Sequence, residues 1–112
     1  MASTDYAVLG QVAPADTNLA TLYTVPTGKR LLTSTVSVCN IGAVSASYDI
    51  LVRVAGAAAA NKQYLAKSTP LPPGKTDFIT IAITAEPTDV VSVKSSVADT
   101  LAFNLFGTEI TP

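Results

Sequence analysis

The chain has no histidine, no tryptophan and one cysteine, and only 13% of its residues are charged. Each shortage removes a class of function. Without histidine, neither a Ser-His-Asp nor a Cys-His nucleophilic site can be built, and the common zinc ligand sets are out of reach. A lone Cys39 forms no internal disulfide, and inside a strand pattern it is expected to act as a small buried apolar residue. Charged residues are about half their usual share of a soluble domain. A surface this poor in charge is short of the ordinary safeguards against association, so other subunits are expected to cover part of it. The net charge is −1, and the basic residues are scattered apart from Lys29-Arg30. Such a pattern does not track a phosphate backbone, which argues against direct nucleic-acid binding. No apolar run approaches the length of a membrane crossing, and Met-Ala-Ser-Thr-Asp-Tyr lacks the basic-then-apolar layout of a signal peptide. No membrane partner is expected, and synthesis in the cytoplasm is.

What the chain does have is strand periodicity. At 112 residues it is the size of one domain able to bury a core without staples. The stretch Leu22 to Asn40 enters a Pro26-Thr27-Gly28 turn and leaves as a strand. In that strand Leu32, Val36 and Val38 share one face, and Thr33, Thr35 and Ser37 the other. Pro26 suits position i+1 of a type I turn with Gly28 at i+3. Residues 1 to 5 are small and polar and read as a short arm, with a first strand from Tyr6 to Val12. Further strands are predicted over Leu19 to Val25, Lys29 to Asn40, Ser45 to Val54, Lys62 to Lys67, Asp77 to Thr84, Val90 to Lys94 and Leu101 to Ile110. In the fourth strand, Tyr48, Ile50, Val52 and Val54 fall on one face. In the sixth, Ile79, Ile81 and Ile83 do. In the last, both faces carry bulk, which predicts cover on both sides. Ala55 to Ala60 is too short and too Gly-interrupted for a stable helix and is expected to be a connection with a single helical turn. Pro73-Gly74 fits the centre of a type II turn, because Gly supplies the positive φ at i+2. About eight strands in one domain predict an all-β, two-sheet antiparallel sandwich of jelly-roll type, with an immunoglobulin-like sandwich as the alternative.

Chemistry-bearing motifs are sparse. Gly74-Lys75-Thr76 mimics the end of a phosphate-binding loop, but Thr69 stands where the earlier glycine belongs and a strand pattern follows. Asp77, Glu86, Asp89 and Asp99 could in principle pair for acid-base work, yet each lies at or beside a turn, where such residues bond local amides. No Asp-x-Asp spacing suggests calcium. Tyr6, Tyr23, Tyr48 and Tyr64 could form a sugar-stacking surface, although tyrosine on a strand more often sits at a core edge with its hydroxyl in water. No catalytic residue, cofactor or metal is expected.

Leu22-Tyr23-Thr24-Val25-Pro26-Thr27-Gly28-Lys29, then Val38-Cys39-Asn40, Ala55-Gly56, Tyr64-Leu65, Asp89-Val90-Val91-Ser92-Val93 and Phe106-Gly107 resemble small β-sandwich virion proteins of tailed bacteriophages. The resemblance runs from about Leu22 to Gly107. It implies a structural part of the virion: a decoration or cement protein on the capsid, or a tail or baseplate component such as a receptor- or carbohydrate-binding module. The expected partners are other copies of the chain, for instance in a trimer, and the major capsid protein or other virion proteins. Contacts are expected from the arm, Ala2, Ser3, Thr4, Asp5 and Tyr6, and from Lys29 and Arg30 at the turn.

Overall fold

The computed structural model describes residues 3–81 and 85–111, and the side chains of 3–6, 32, 33 and 81 are not among those described. Eight strands occupy these residues: β1 (Ser3–Val12), β2 (Ala20–Thr24), β3 (Arg30–Asn40), β4 (Ala46–Arg53), β5 (Tyr64–Leu71), β6 (Thr76–Ile81), β7 (Val90–Ser95) and β8 (Leu101–Thr111). They form two four-stranded sheets, ordered β1-β8-β3-β6 and β2-β7-β4-β5. All pairings are antiparallel. The pairs β1·β8, β2·β7, β3·β6 and β4·β5 are successive rungs of one long hairpin folded between β4 and β5. Rolling that hairpin sends alternate rungs to opposite sheets, and β3·β8 and β4·β7 then stitch the rungs together. The result is the jelly roll, and its strand order excludes the immunoglobulin alternative.

Alternation decides the core. Val36 and Val38 of β3, Tyr48 and Ile50 of β4, Val91 and Val93 of β7, and Leu101, Phe103 and Leu105 of β8 all point between the sheets and are almost fully buried. Tyr48 meets Phe103 edge-on across the core, with ring centroids 6.4 Å apart. On β3 the inward phase is not constant. Pairing with β8 slips between Leu31 and Ser34, and Leu31 is fully buried although it is out of phase with Val36. A bulge of this kind changes the inward phase along one strand; the side chain of Leu32, expected on the inward face, lies outside those described.

Other expectations shift for similar reasons. The first strand begins at Ser3 rather than Tyr6, because residues 3–6 pair with 108–111 of β8. The backbone expected to be a free arm is thus part of a ladder from Ser3 on, and Ala2 lies outside the described residues, as does Ile83. Val54 is 66% exposed, because β4 stops at Arg53 and a 3-10 turn (Val54–Gly56) begins. That turn and a second one (Asn61–Gln63) lie against β7 and β4. Leu51, on the outward phase of β4, is buried as well. Cys39 is half-buried on the outer face, one residue out of phase with Val38, rather than in the core.

The two Pro-x-Gly-Lys turns share one geometry. The Lys29 N–H donates to the Pro26 carbonyl and the Lys75 N–H to the Pro72 carbonyl, both at 3.2 Å, with Gly28 and Gly74 at positive φ. Positive φ at i+2 alone marks type II. The expectation holds for Pro73-Gly74. For the first turn it is corrected: Pro26 is residue i, and Gly28 sits at i+2 rather than i+3. Each turn carries the chain from the β2-β7-β4-β5 sheet to the other one.

Candidate interaction face

Because Val36, Val38 and alternate residues of β8 fill the core, their neighbours in sequence form the outer face of the β1-β8-β3-β6 sheet. Register arranges these neighbours in rows. Val8, Phe106, Thr35 and Thr80 lie side by side across the four strands, then Gln11, Asn104, Ser37 and Phe78, then Ala102, Cys39 and Thr76. None of these eleven side chains carries a charge. Phe78 is 71% exposed, Val8 53% and Phe106 38%. Phe106 was expected to be covered, but no element among the described residues packs over the outside of β8. The Gln11 amide donates to Asn104 Oδ1 at 2.7 Å, which ties the middle row together. At about 4.8 Å between strands and 6.8 Å between rows, the patch measures roughly 400 Å². Within it Val8, Phe106 and Phe78 are the exposed large apolar side chains, set among hydroxyl and amide groups.

The sandwich beneath is held by two cross-sheet clasps that sequence reasoning missed. The Tyr23 hydroxyl of β2 donates to Glu109 Oε2 of β8, and Lys29 Nζ lies 3.2 Å from Glu109 Oε1. The Tyr48 hydroxyl of β4 donates to Asp77 Oδ2 of β6 at 2.8 Å. Burial first, then the bond to a carboxylate, pushes both phenols far above their usual range. The Tyr23 hydrogen bond, helped by Lys29, holds the Glu109 carboxyl below its ordinary 4.5 against an opposing desolvation cost. Each phenol therefore keeps its proton and donates a hydrogen bond to its carboxylate partner, a tie rather than an acid-base couple. A Tyr two to four positions from an inward Val or Ile was the available signal, but its carboxylate partner lies on a strand distant in sequence.

The four carboxylates considered for catalysis are engaged separately. Asp77 takes Tyr48. Glu86 Oε2 lies 2.9 Å from Arg30 Nε. The buried Asp89 carboxylate accepts the N–H groups of Ala55 and Glu86 at 2.9 and 3.0 Å, holding the turn before β7 against the one after β4. Asp99 occupies a positive-φ turn position. Among the described residues no group of three or more acidic or Cys side chains could hold a metal ion. Gly74-Lys75-Thr76 leads into β6, so it has no helix to place over a phosphate.

Of the residues expected to make contacts, Lys29 and Arg30 are tied to Glu109 and Glu86 and brace the β2–β3 turn. Ser3 to Tyr6 lie along β1 at the sheet edge, away from Lys29 in register except where Thr4 and Arg30 both oppose Ile110. Tyr23 and Tyr48 are buried, which removes half of the imagined sugar-stacking surface. Tyr64 holds Lys67 Nζ 4.2 Å from its ring centre. On the other sheet a polar cleft of about 320 Å³ lies among Thr17, Ser47, Asp49, Ser68, Lys94, Ser95 and Ser96. Two of its polar groups already serve the backbone: Asp49 Oδ1 accepts the Ser68 N–H, and Ser96 Oγ the Ser47 N–H.

Comparison with known proteins places this geometry. No protein-family model and no curated protein matches the chain. Among solved structures, a chain in the acid-stable capsid of Helicobacter pylori bacteriophage KHP30 is similar, with a TM-score of 0.58 and 16% identity over 100% of this chain and 94% of that one. A chain of infectious bursal disease virus, Gx strain, aligns over 98% of this chain and 31% of its own length, with a TM-score of 0.44 and 12% identity. The first likeness is one of fold, spanning both chains from end to end.

Proposed function

We propose that the chain is a structural protein of a virion, a capsid decoration or cement protein that binds the assembled major-capsid-protein lattice and stabilises it. The observation that carries this reading is the uncharged outer face of the β1-β8-β3-β6 sheet, with Phe78, Val8 and Phe106 presented to solvent. An uncharged face with exposed aromatic side chains is suited to packing against another protein surface. The fold likeness to a chain of a phage capsid supports the same reading, since it spans both chains with little left over. The patch of roughly 400 Å² is about half of what one partner contributes to a standard stable interface. A single docked copy would therefore bind weakly unless neighbouring loops join the contact, and the gain comes from occupying many equivalent sites. A protein that binds only the mature lattice stabilises each site by about 2.7 kcal/mol at a hundred times its dissociation constant.

Quantitative stoichiometry of purified virions, measured against the major capsid protein, tests the proposal. A ratio near one per capsid subunit, or a simple fraction of it, is the expected result. A few copies per particle would transfer the protein to the tail or baseplate, and absence from the particle would overturn the virion reading.

A further inference from the structure

Each sheet of an open sandwich has two edge strands whose outward N–H and C=O groups lack partners. Three of the four edges here are spoiled for pairing. β5 contains Lys67 and Pro70, Ser68 at positive φ, and two register shifts against β4. β2 has five residues with a shift at its middle, and β1 has a shift between Val8 and Gly10. β6 has none of these devices. Its ladder with β3 runs unbroken from Cys39↔Thr76 to Ser34↔Ile81. Its sequence, Thr-Asp-Phe-Ile-Thr-Ile, is rich in β-formers, and its one charge, Asp77, is turned inward to the Tyr48 hydroxyl.

The hydrogen bonds show which β6 groups are free. The Asn40 N–H donates to the Lys75 carbonyl at 2.9 Å, so even-numbered residues of β3 face β6. By alternation, Asp77 and Ile79 bond to β3, while the backbone groups of Thr76, Phe78 and Thr80 point out from the sheet edge. These three residues are symmetric about Phe78.

We propose that β6 is a self-association edge: a second copy of this chain pairs its own β6 antiparallel to this one, about a two-fold axis through Phe78. In that register Phe78 faces its counterpart and Thr76 faces Thr80 twice, so all six outward backbone groups find partners. The two sheets become one continuous eight-stranded sheet, and the most exposed aromatic of the described residues is covered by its copy. No like charges meet across the axis, so an identical chain suits this edge better than a charged segment would. The pairing stands on the edge geometry alone and holds whether or not the protein is part of a virion.

Analytical ultracentrifugation of the full chain from micromolar to millimolar concentration tests it. A monomer–dimer equilibrium is expected. Thr80→Pro removes one outward N–H and no intramolecular ladder bond, so it should weaken dimerisation at least tenfold while the melting temperature of the monomer stays within a few degrees of the parent. In a Cys39→Ser background, Phe78→Cys should give a disulfide-linked dimer on mild oxidation, because residues opposed in such a pair have Cα atoms about 5.5 Å apart. Thr21→Cys, on an edge strand of the other sheet, should not. A monomer at millimolar concentration, a trimer, or a dimer indifferent to Thr80→Pro would each overturn the proposal.

Discussion

Gly10→Ala is the sharpest test of how the two sheets meet at their open side. β1 and β2 are edge strands of different sheets, and each carries a register shift where they approach, between Val8 and Gly10 and between Thr21 and Tyr23. Gly10 turns inward there, and a Cβ built on it would sit 2.1 Å from the Leu22 carbonyl oxygen, whereas real Cβ contacts do not fall below 3.0 Å. The obstacle is backbone on both sides, so no side-chain rotation relieves it. The strands must separate by about 0.9 Å, which loosens the contacts of Leu22 and Leu9 with the core. Overpacking of this kind costs about 1–3 kcal/mol. For a domain of this size that is a fall of roughly 4–12 °C in melting temperature, at about 4 °C per kcal/mol. Thermal unfolding followed by circular dichroism, with urea denaturation beside it, measures the loss. Amide exchange should show β1 losing protection before β4. Gly28→Ala is the instructive contrast, because nothing lies within 4 Å of its added Cβ while its φ is +81°. Its cost is therefore the left-handed strain alone, about 1–2 kcal/mol. If Gly10→Ala melts within a degree of the parent, the close approach of β1 to β2 described above is wrong.

Three further outcomes follow from the same structure. In a double-mutant cycle of Tyr48→Phe and Asp77→Ala, urea unfolding should give a coupling of about 1.5 kcal/mol, the low end for a hydrogen bond to a charged group because Asp77 is half-buried; zero coupling would remove the clasp. Stability should also fall at both ends of the pH scale. Glu109 has a depressed folded value, so its contribution is complete above 4.5 and is lost as pH falls through that folded value. Tyr23 and Tyr48 have raised folded values, so theirs is complete below 10.0 and fades as pH rises beyond it. Tyr23→Phe should flatten both limbs of a plot of urea midpoint against pH, and an unchanged profile would refute the assignment. Finally, Phe106→Lys on the outer face should leave the melting temperature within about 2 °C, the scale of a surface substitution, while lowering occupancy on capsid shells at least tenfold if the proposed lattice binding uses this face. Full occupancy with this variant would mean that another face binds.

Much of the fold is readable from composition and period. Val36 and Val38, Tyr48 and Ile50, and Leu101, Phe103 and Leu105 announce strands because alternation is a local property of the chain. Pro73-Gly74 announces its turn because the φ preferences of those residues are local too. The same period places Phe78 opposite Ile79 and hence outside, although its meaning emerges only when rows on neighbouring strands are known. The tertiary structure decided what depends on residues far apart in sequence. Pairing with residues 108–111 turns the polar start of the chain into β1, against its composition. A register shift between Leu31 and Ser34 puts Leu31 in the core out of phase with Val36, and Leu51 is buried on what alternation marks as the outer face. Tyr23 finds Glu109, and Tyr48 finds Asp77, only because the rolled hairpin lays β2 over β8 and β4 over β6. Sequence determines the elements through local sterics and period, whereas register, clasps and the uncharged face arise from which strand lies beside which, a choice made by closure of the whole core.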